Sequence, residues 1–394
     1  MTFFMRTALI TAGLSTRLVL ATPRNVPPKI SGDVQVLGHT YDSGFGQPNT
    51  SNPNDPGFYS DGGAGGLVNG YHMLTLSDAR DSPTNITILG DYKADPHWFF
   101  EGNGAGQGVV RSNPSDACQN ENFGPAPNTM MVPLEEGSTT GLNVWSIYCG
   151  TVQYNTLIEW DATDLAGRVA NNENIPNTRT VDRLFNVRDP AVSIIFDTFA
   201  DQHQASQPLY GTDGFAIDDK YIYLVARNDA DFKIARVEKD KRTDISQYKY
   251  YYPTAAQWNE TIPAPEDSSP DVNFFIGTDP GNGVQFGSDL FFSPYFNTWL
   301  LSYSSAAYVG LYNLAYSSTG NVEGPYEDLS GFYAPQLDDA CMQESPGHLP
   351  QQGYAPPVVY LMHSHPGYDA SGKTLVVGWI SCNAVTNFAR ITFQ

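Results

Sequence analysis

Apolar and polar residues alternate along most of the chain in short runs rich in β-branched and aromatic side chains, and no stretch carries a convincing amphipathic helix. Five segments share one shape, a short apolar or small-residue run, a turn, then a β-branched and aromatic run. They are GGAGGLVNGYHMLTLSD from Gly62, NTMMVPLEEGSTTGLNVWSIYCG from Asn128, DGFAIDDKYIYLVAR from Asp213, SDLFFSPYFNTWLLSYSS from Ser288 and PPVVYLMHSHPGYDASGKTLVVGWISC from Pro356. Each is followed by a further candidate strand, such as TLIEWDA after the second or FKIARVEK after the third. A recurrence every 65 to 85 residues or so predicts the blades of a β-propeller, with about four strands apiece.

The two ends of this pattern belong together. DVQVLGHTY near the start and FARITFQ at the end both read as strands, and pairing them would seal the ring and remove its exposed edges. No linker-like tract divides the chain, so the expectation is an all-β, single-domain five-bladed β-propeller over residues 22–394; the competing architecture is a β-sandwich or jelly roll with long loops. SDARDSPTNITILGDYKADPHWF and EDSSPDVNFF read as polar insertions walling a binding face.

Composition narrows the functions. A content of 36 Gly and 28 Pro with 13% aromatic residues suits many short strands and tight turns, and 41% hydrophobic residues suffice for a core. A formal net charge of -21 repels phosphate backbones and anionic lipid, which disfavours nucleic acid and membranes and leaves neutral carbohydrate as a partner. Residues 1–21 read as a signal peptide, with Arg6 as its positive end and Ala8–Leu20 as its apolar stretch, interrupted by Arg17. The expectation is a secreted, extracellular monomer. Cys118, Cys149, Cys341 and Cys382 then suggest two disulfides; of three connectivities, Cys118–Cys149 with Cys341–Cys382 closes the shorter loops. Glycosylation sequons stand at Asn49, Asn85 and Asn259.

The first repeat carries the candidate chemistry. Asn69-Gly70 is a strong signal for a two-residue type I′ hairpin. With that turn, strand partners have numbers that sum to 139, and Asp61 lands opposite Asp78. Directly opposed like charges, about 4.5–5.5 Å apart at Cβ, are destabilising. Three readings are open: a catalytic acid/base or nucleophile pair whose repulsion raises one pKa, a cation site, or a solvated strand end. Gly62, Gly63, Gly65 and Gly66 flank the pair, and a strand so poor in side chains admits another backbone or a ligand at close range.

The runs VQVLGHTYDSGFG, SDGGAGGLVNG and MLTLSDA together resemble the start of an extracellular propeller family long catalogued as a domain of unknown function, whose characterised members are endo-D-arabinanases. Ser60 and Ala79 depart from the family's usual Arg and Thr, and the resemblance is clearest over about residues 34–110. It implies a five-bladed glycosidase fold with Asp61 and Asp78 as the catalytic pair, and Asn103 in FFEGNGAG as a pocket-facing polar residue. Glycosidases of this kind use one carboxylic acid to protonate the leaving oxygen and one carboxylate as base or nucleophile.

Other residues have two readings each. Asp213 and Asp289 begin inner strands of later repeats and either line the substrate pocket or cap turns. His97 and Trp98 either stack on a sugar ring or fill a blade core. His363 and His365 lie two apart on one strand face, but two ligands without a third in register do not make a zinc site; His365, beside PGYDASG, reads as a rim residue. No cofactor or metal motif is present. The expected function is a secreted glycoside hydrolase, with an arabinan-like furanoside favoured; the alternatives are a propeller polysaccharide lyase and a non-catalytic lectin.

Overall fold

Short β-branched and aromatic runs separated by tight turns give almost nothing but antiparallel strands. The computed structural model describes residues 29–39, 61–77, 86–89, 123–149, 152–171, 173–186, 210–228, 231–263, 285–305, 311–333, 359–381 and 385–394. Strand β1 (Ile30–His39) comes first in the chain but joins the last sheet. Strands β2 (Asp61–Val68), β3 (Tyr71–Ser77) and β4 (Ile86–Leu89) form a meander. The second sheet holds β5 (Phe123–Pro127), β6 (Val132–Pro133), β7 (Thr140–Cys149), β8 (Val152–Asp161) and β9 (Asn177–Asn186). Between β8 and β9 a single turn-and-a-half of helix, α1 (Leu165–Ala170), interrupts the all-strand pattern. The Asp164 side chain accepts the Gly167 N–H at 3.3 Å to start it, and buried Leu165 anchors it on the sheet. Six residues are too few to leave a periodic signal, which is why the sequence reads as strand and loop there.

The third sheet runs β10 (Gly214–Ile217), β11 (Tyr221–Asn228), β12 (Asp231–Glu238), β13 (Lys249–Tyr252) and β14 (Gln257–Asn259). The fourth runs β15 (Gln285–Ser293), β16 (Thr298–Ser305), β17 (Leu311–Ser317) and β18 (Tyr326–Tyr333). The last holds β19 (Val359–His365), β20 (Thr374–Ser381) and β21 (Val385–Phe393), with β1 on its outer edge. There Val34 lies opposite Ile391, Gln35 opposite Arg390 and Val36 opposite Ala389. The pairing of the two terminal strands anticipated from the sequence is present.

The sheets follow one another around an axis. The innermost strands touch in sequence order, β2 against β6, β6 against β10, β10 against β15, β15 against β19, and β19 against β2 again. Apolar faces pack between neighbouring sheets, for example Trp145 and Trp160 with Met73 between the first two, and Phe291, Leu300 and Trp379 between the last two. Each fully buried aliphatic side chain there stabilises the fold by about 1.5–3 kcal/mol. The result is a single all-β domain with a propeller-like arrangement. Five full blades are expected from the sequence; among the described residues four sheets have four or more strands, while the β2–β4 sheet has three.

Candidate functional site

The hairpin that carries Asp61 begins as its sequence dictates. Asn69 (φ 50°) and Gly70 (φ 79°) are both left-handed, the conformation a type I′ turn requires. The Asn69 carboxamide donates to the Ala162 carbonyl at 2.9 Å and ties the turn to the second sheet. From Val68 opposite Tyr71 to Ala64 opposite Thr75, the register follows the count made from the turn. It then slips by one, leaving Gly62 opposite Leu76 and Asp61 opposite Ser77. The extra residue is Gly63, whose φ of 121° is open to glycine and strained for other L-residues. The expected direct opposition of Asp61 and Asp78 is therefore corrected. Asp61 pairs with the residue that precedes Asp78, and Asp78 itself lies outside the described residues.

Close approach explains Gly65 and Gly66 of β2. A Cβ on Gly65 would stand 1.9 Å from the His365 Nδ1, and one on Gly66 would stand 1.9 Å from the Met131 carbonyl oxygen. The strand is bare because a neighbouring backbone and an imidazole lie on it. Met131 N–H also donates to the Gly65 carbonyl at 3.1 Å, joining the second sheet to the first.

At the same level, near the axis, a buried polar knot joins three sheets. Asp289 on β15 is fully buried, and its carboxylate accepts the Ser364 N–H at 2.6 Å and the Met130 N–H at 3.4 Å. The His363 Nδ1 lies 3.2 Å from Oδ2 of the same carboxylate. Ser302 receives the Asp289 N–H at 3.2 Å and the Ser364 hydroxyl at 2.8 Å, and Ser364 also lies 2.7 Å from the Tyr312 hydroxyl. Burial pushes the Tyr312 hydroxyl well above the usual phenol range, so it stays protonated. Asp289, read from sequence as a pocket-liner or turn cap, is here an acceptor shared by donors from the second and last sheets. Charged hydrogen bonds of this kind hold the centre of the ring together.

His365, expected at the rim, is buried with only 3% exposure, its ring edge-on to Phe388 at 5.4 Å. Burial drives its pKa down to about 3; the Asp289 carboxylate opposes this, His363 and His72 add to it, and a hydrogen bond to the Gly63 backbone opposes it. Its Nε2, like that of His363, is buried without a hydrogen-bond partner among the described residues. His365 therefore grips the bulge that sets the register of Asp61. Among the described residues no three His, Cys, Asp or Glu side chains gather closely enough to hold a metal ion.

Asp213, directly before β10, is also buried at 3% exposure, next to Thr212. Thr212 takes part in a second polar set, in which the Asn155 carboxamide donates to the Tyr210 carbonyl at 2.9 Å and to the Thr212 hydroxyl at 3.2 Å. Asn128 and Ser146 complete it, with the Asn128 carboxamide donating to Ser146 at 2.9 Å. The structure thus brings Asp289 and His365 to the axis, and sets Asp213 beside this neighbouring network. His97, Trp98 and Asn103 lie outside the described residues, as do Cys118, Cys341, Cys382, Asn49 and Asn85; of Cys149 only the backbone, opposite Val152, is described. Asn259 is half-buried on β14. Sequence reasoning missed Ser302, Tyr312 and Ser364. For the two serines the signal was present: small hydroxyl residues interrupt otherwise apolar strands, at Ser288 and Ser302 and at Ser364 between two histidines.

No family model and no curated protein matches the sequence. Among solved structures, the chain is similar to a Bacteroides ovatus protein presumed to be a hydrolase, with a TM-score of 0.52 and 15% identity over 89% of this chain and 88% of that one. An α-L-arabinofuranosidase from Podospora anserina, solved with cellotriose, matches over 89% of this chain and 94% of its own, at 10% identity and a TM-score of 0.42. An engineered GH43 glycoside hydrolase matches over 86% of this chain and 51% of its own, at 13% identity and a TM-score of 0.42. At such identities the first likeness is one of fold.

Proposed function

We propose that this chain is an exported glycoside hydrolase that cleaves a neutral polysaccharide or oligosaccharide, an arabinan-like furanoside above others, with Asp61 and Asp78 as its two carboxyl groups. The observation that carries this reading is positional. Asp61 opens β2, an innermost strand of the ring, and Asp78 follows in sequence directly after Ser77, the last residue of the partner strand β3. A glycosidase needs two carboxyl groups across one scissile bond, one to protonate the leaving oxygen and one to activate water or attack the anomeric carbon. The propeller-like fold is compatible with that chemistry, though fold alone does not assign it. In this reading the three-stranded β2–β4 sheet counts as the fifth blade. Residues 1–21 are a leader removed on export, the four cysteines form two disulfides, and the protein acts as a monomer.

The test is turnover of plant, fungal and bacterial polysaccharides with analysis of the products. Release of reducing ends from an arabinan-like polymer is expected. The Asp61→Asn and Asp78→Asn variants should each lose at least about a hundredfold in rate, the low end of what general acid–base catalysis contributes, while unfolding at the wild-type urea midpoint. Full activity in both variants would sink the assignment. An unsaturated, absorbing product would point to a lyase instead.

A further inference from the structure

The third sheet carries a strand beyond the four of its neighbours on either side along the outer path, and that strand holds a feature the proposed hydrolysis does not use. β14 pairs with β13 alone among the described residues, Tyr250 opposite Asn259, Tyr251 opposite Trp258 and Tyr252 opposite Gln257. Its other edge is open among those residues, and an open edge invites pairing with a second chain. Asn259 begins the triplet Asn-Glu-Thr, and both Glu260 and Thr261 are exposed. The Asn259 carboxamide makes no hydrogen bond to another described residue, whereas the Tyr252 hydroxyl donates to the Thr261 carbonyl at 3.0 Å and lies 2.9 Å from its hydroxyl. By register, Asn259 shares a face with Tyr250 and Tyr252, while Trp258 points to the other face, where it packs on Tyr251 and Arg236.

We propose that Asn259 is an N-glycosylation site whose glycan covers the edge of this sheet that is open among the described residues. The donor is a polyprenyl-diphosphate-linked oligosaccharide. The Asn259 Nδ2 forms a bond to the anomeric carbon, the bond from that carbon to the diphosphate oxygen breaks, the diphosphate leaves with the electron pair, and the amide loses one proton. Transfer precedes folding, because the Thr261 hydroxyl, which the sequon must present, is engaged by Tyr252 once β14 has formed. A bulky, solvated chain at the last strand then excludes a second sheet from the edge.

The experiment expresses the full chain, leader included, in a glycosylating eukaryotic host. Amidase release in heavy-oxygen water should convert residue 259 to labelled aspartate in the recovered peptide. Asn259→Gln and Thr261→Ala should each lose one glycan step on a gel, and Thr261→Ser should keep it. Light scattering on gentle heating should rise earlier for Asn259→Gln and Thr261→Ala than for wild type and Thr261→Ser. An unmodified Asn259 peptide from secreted protein overturns the site. A glycan whose loss leaves the scattering onset unchanged in both variants overturns its covering role.

Discussion

A handful of glycines and one imidazole decide the geometry around Asp61. Gly66 has the Met131 carbonyl where a side chain would begin, a backbone atom that cannot rotate away. Gly66→Ala should therefore cost about 3 kcal/mol, the upper end of the overpacking range, read as a lower urea midpoint with an unchanged slope. His365 makes a different prediction. Its folded pKa of about 3 lies below the ordinary value of 6.5, so between those two pH values the unfolded chain binds a proton that the folded chain refuses. Stability from this group is fully present above about pH 6.5 and is lost progressively as pH falls toward about 3. Urea midpoints measured from pH 7.5 to 4.5 should fall more steeply for wild type than for His365→Gln, which has no proton to take up. Parallel slopes in the two proteins would show that the imidazole is solvated or already charged in the fold.

At the scale of elements, local signals were legible and contacts across the ring were not. Asn69-Gly70 set both the turn and the upper part of the ladder because a two-residue I′ turn leaves no freedom in register. The terminal strands were legible as a pair because their apolar alternation had no other place to go. The slip at Gly63 was not, since a strand containing four glycines can bulge at any of them. The choice is made by Thr386 and His365, more than 300 residues away in sequence, one packed near Gly63 and the other bonded to its backbone. The same reason hid the knot around Asp289. Its donors come from Met130 and Ser364, separated from it by 159 and 75 positions, and no spacing rule links them. β19 adds a further irregularity, with Leu361 at a φ of 52° and a register shift between Tyr360 and His363, which the sequence VVYLMHSH does not announce. Of the candidate pair, counting along one hairpin put Asp61 on β2 but opposite Asp78 instead of Ser77, because the slip at Gly63 is not written in the local sequence.

Two properties belong to the molecule as a whole, closure and charge. Closure rests on β1, which covers the outer edge of β21 and places Ile30 in the core between the last two sheets. A chain lacking residues 30–39 should expose that edge and associate in a concentration-dependent way by sedimentation, with a lower melting temperature; a monodisperse monomer of unchanged stability would mean that the ring closes without it. Charge acts at longer range. Several described cations are already committed: Arg242 to Glu159 at 2.7 Å, Lys239 to Glu135 at 2.9 Å, and Lys220 and Lys241 to Glu238. The 42 Asp and Glu still outnumber the 21 Lys and Arg two to one, and the field around the protein is negative. A neutral furanoside feels none of it, whereas a polyuronate is repelled over a Debye length of about 10 Å at 0.1 M salt. Turnover of a neutral arabinan should then stay flat between low salt and about 0.5 M, where the screening length shrinks to a few ångströms. Binding of polygalacturonate, measured in the same series, should strengthen as salt rises. A neutral substrate whose turnover collapses with added salt, or a polyuronate bound best at low salt, would require a basic subsite strong enough to overcome the field of the whole chain.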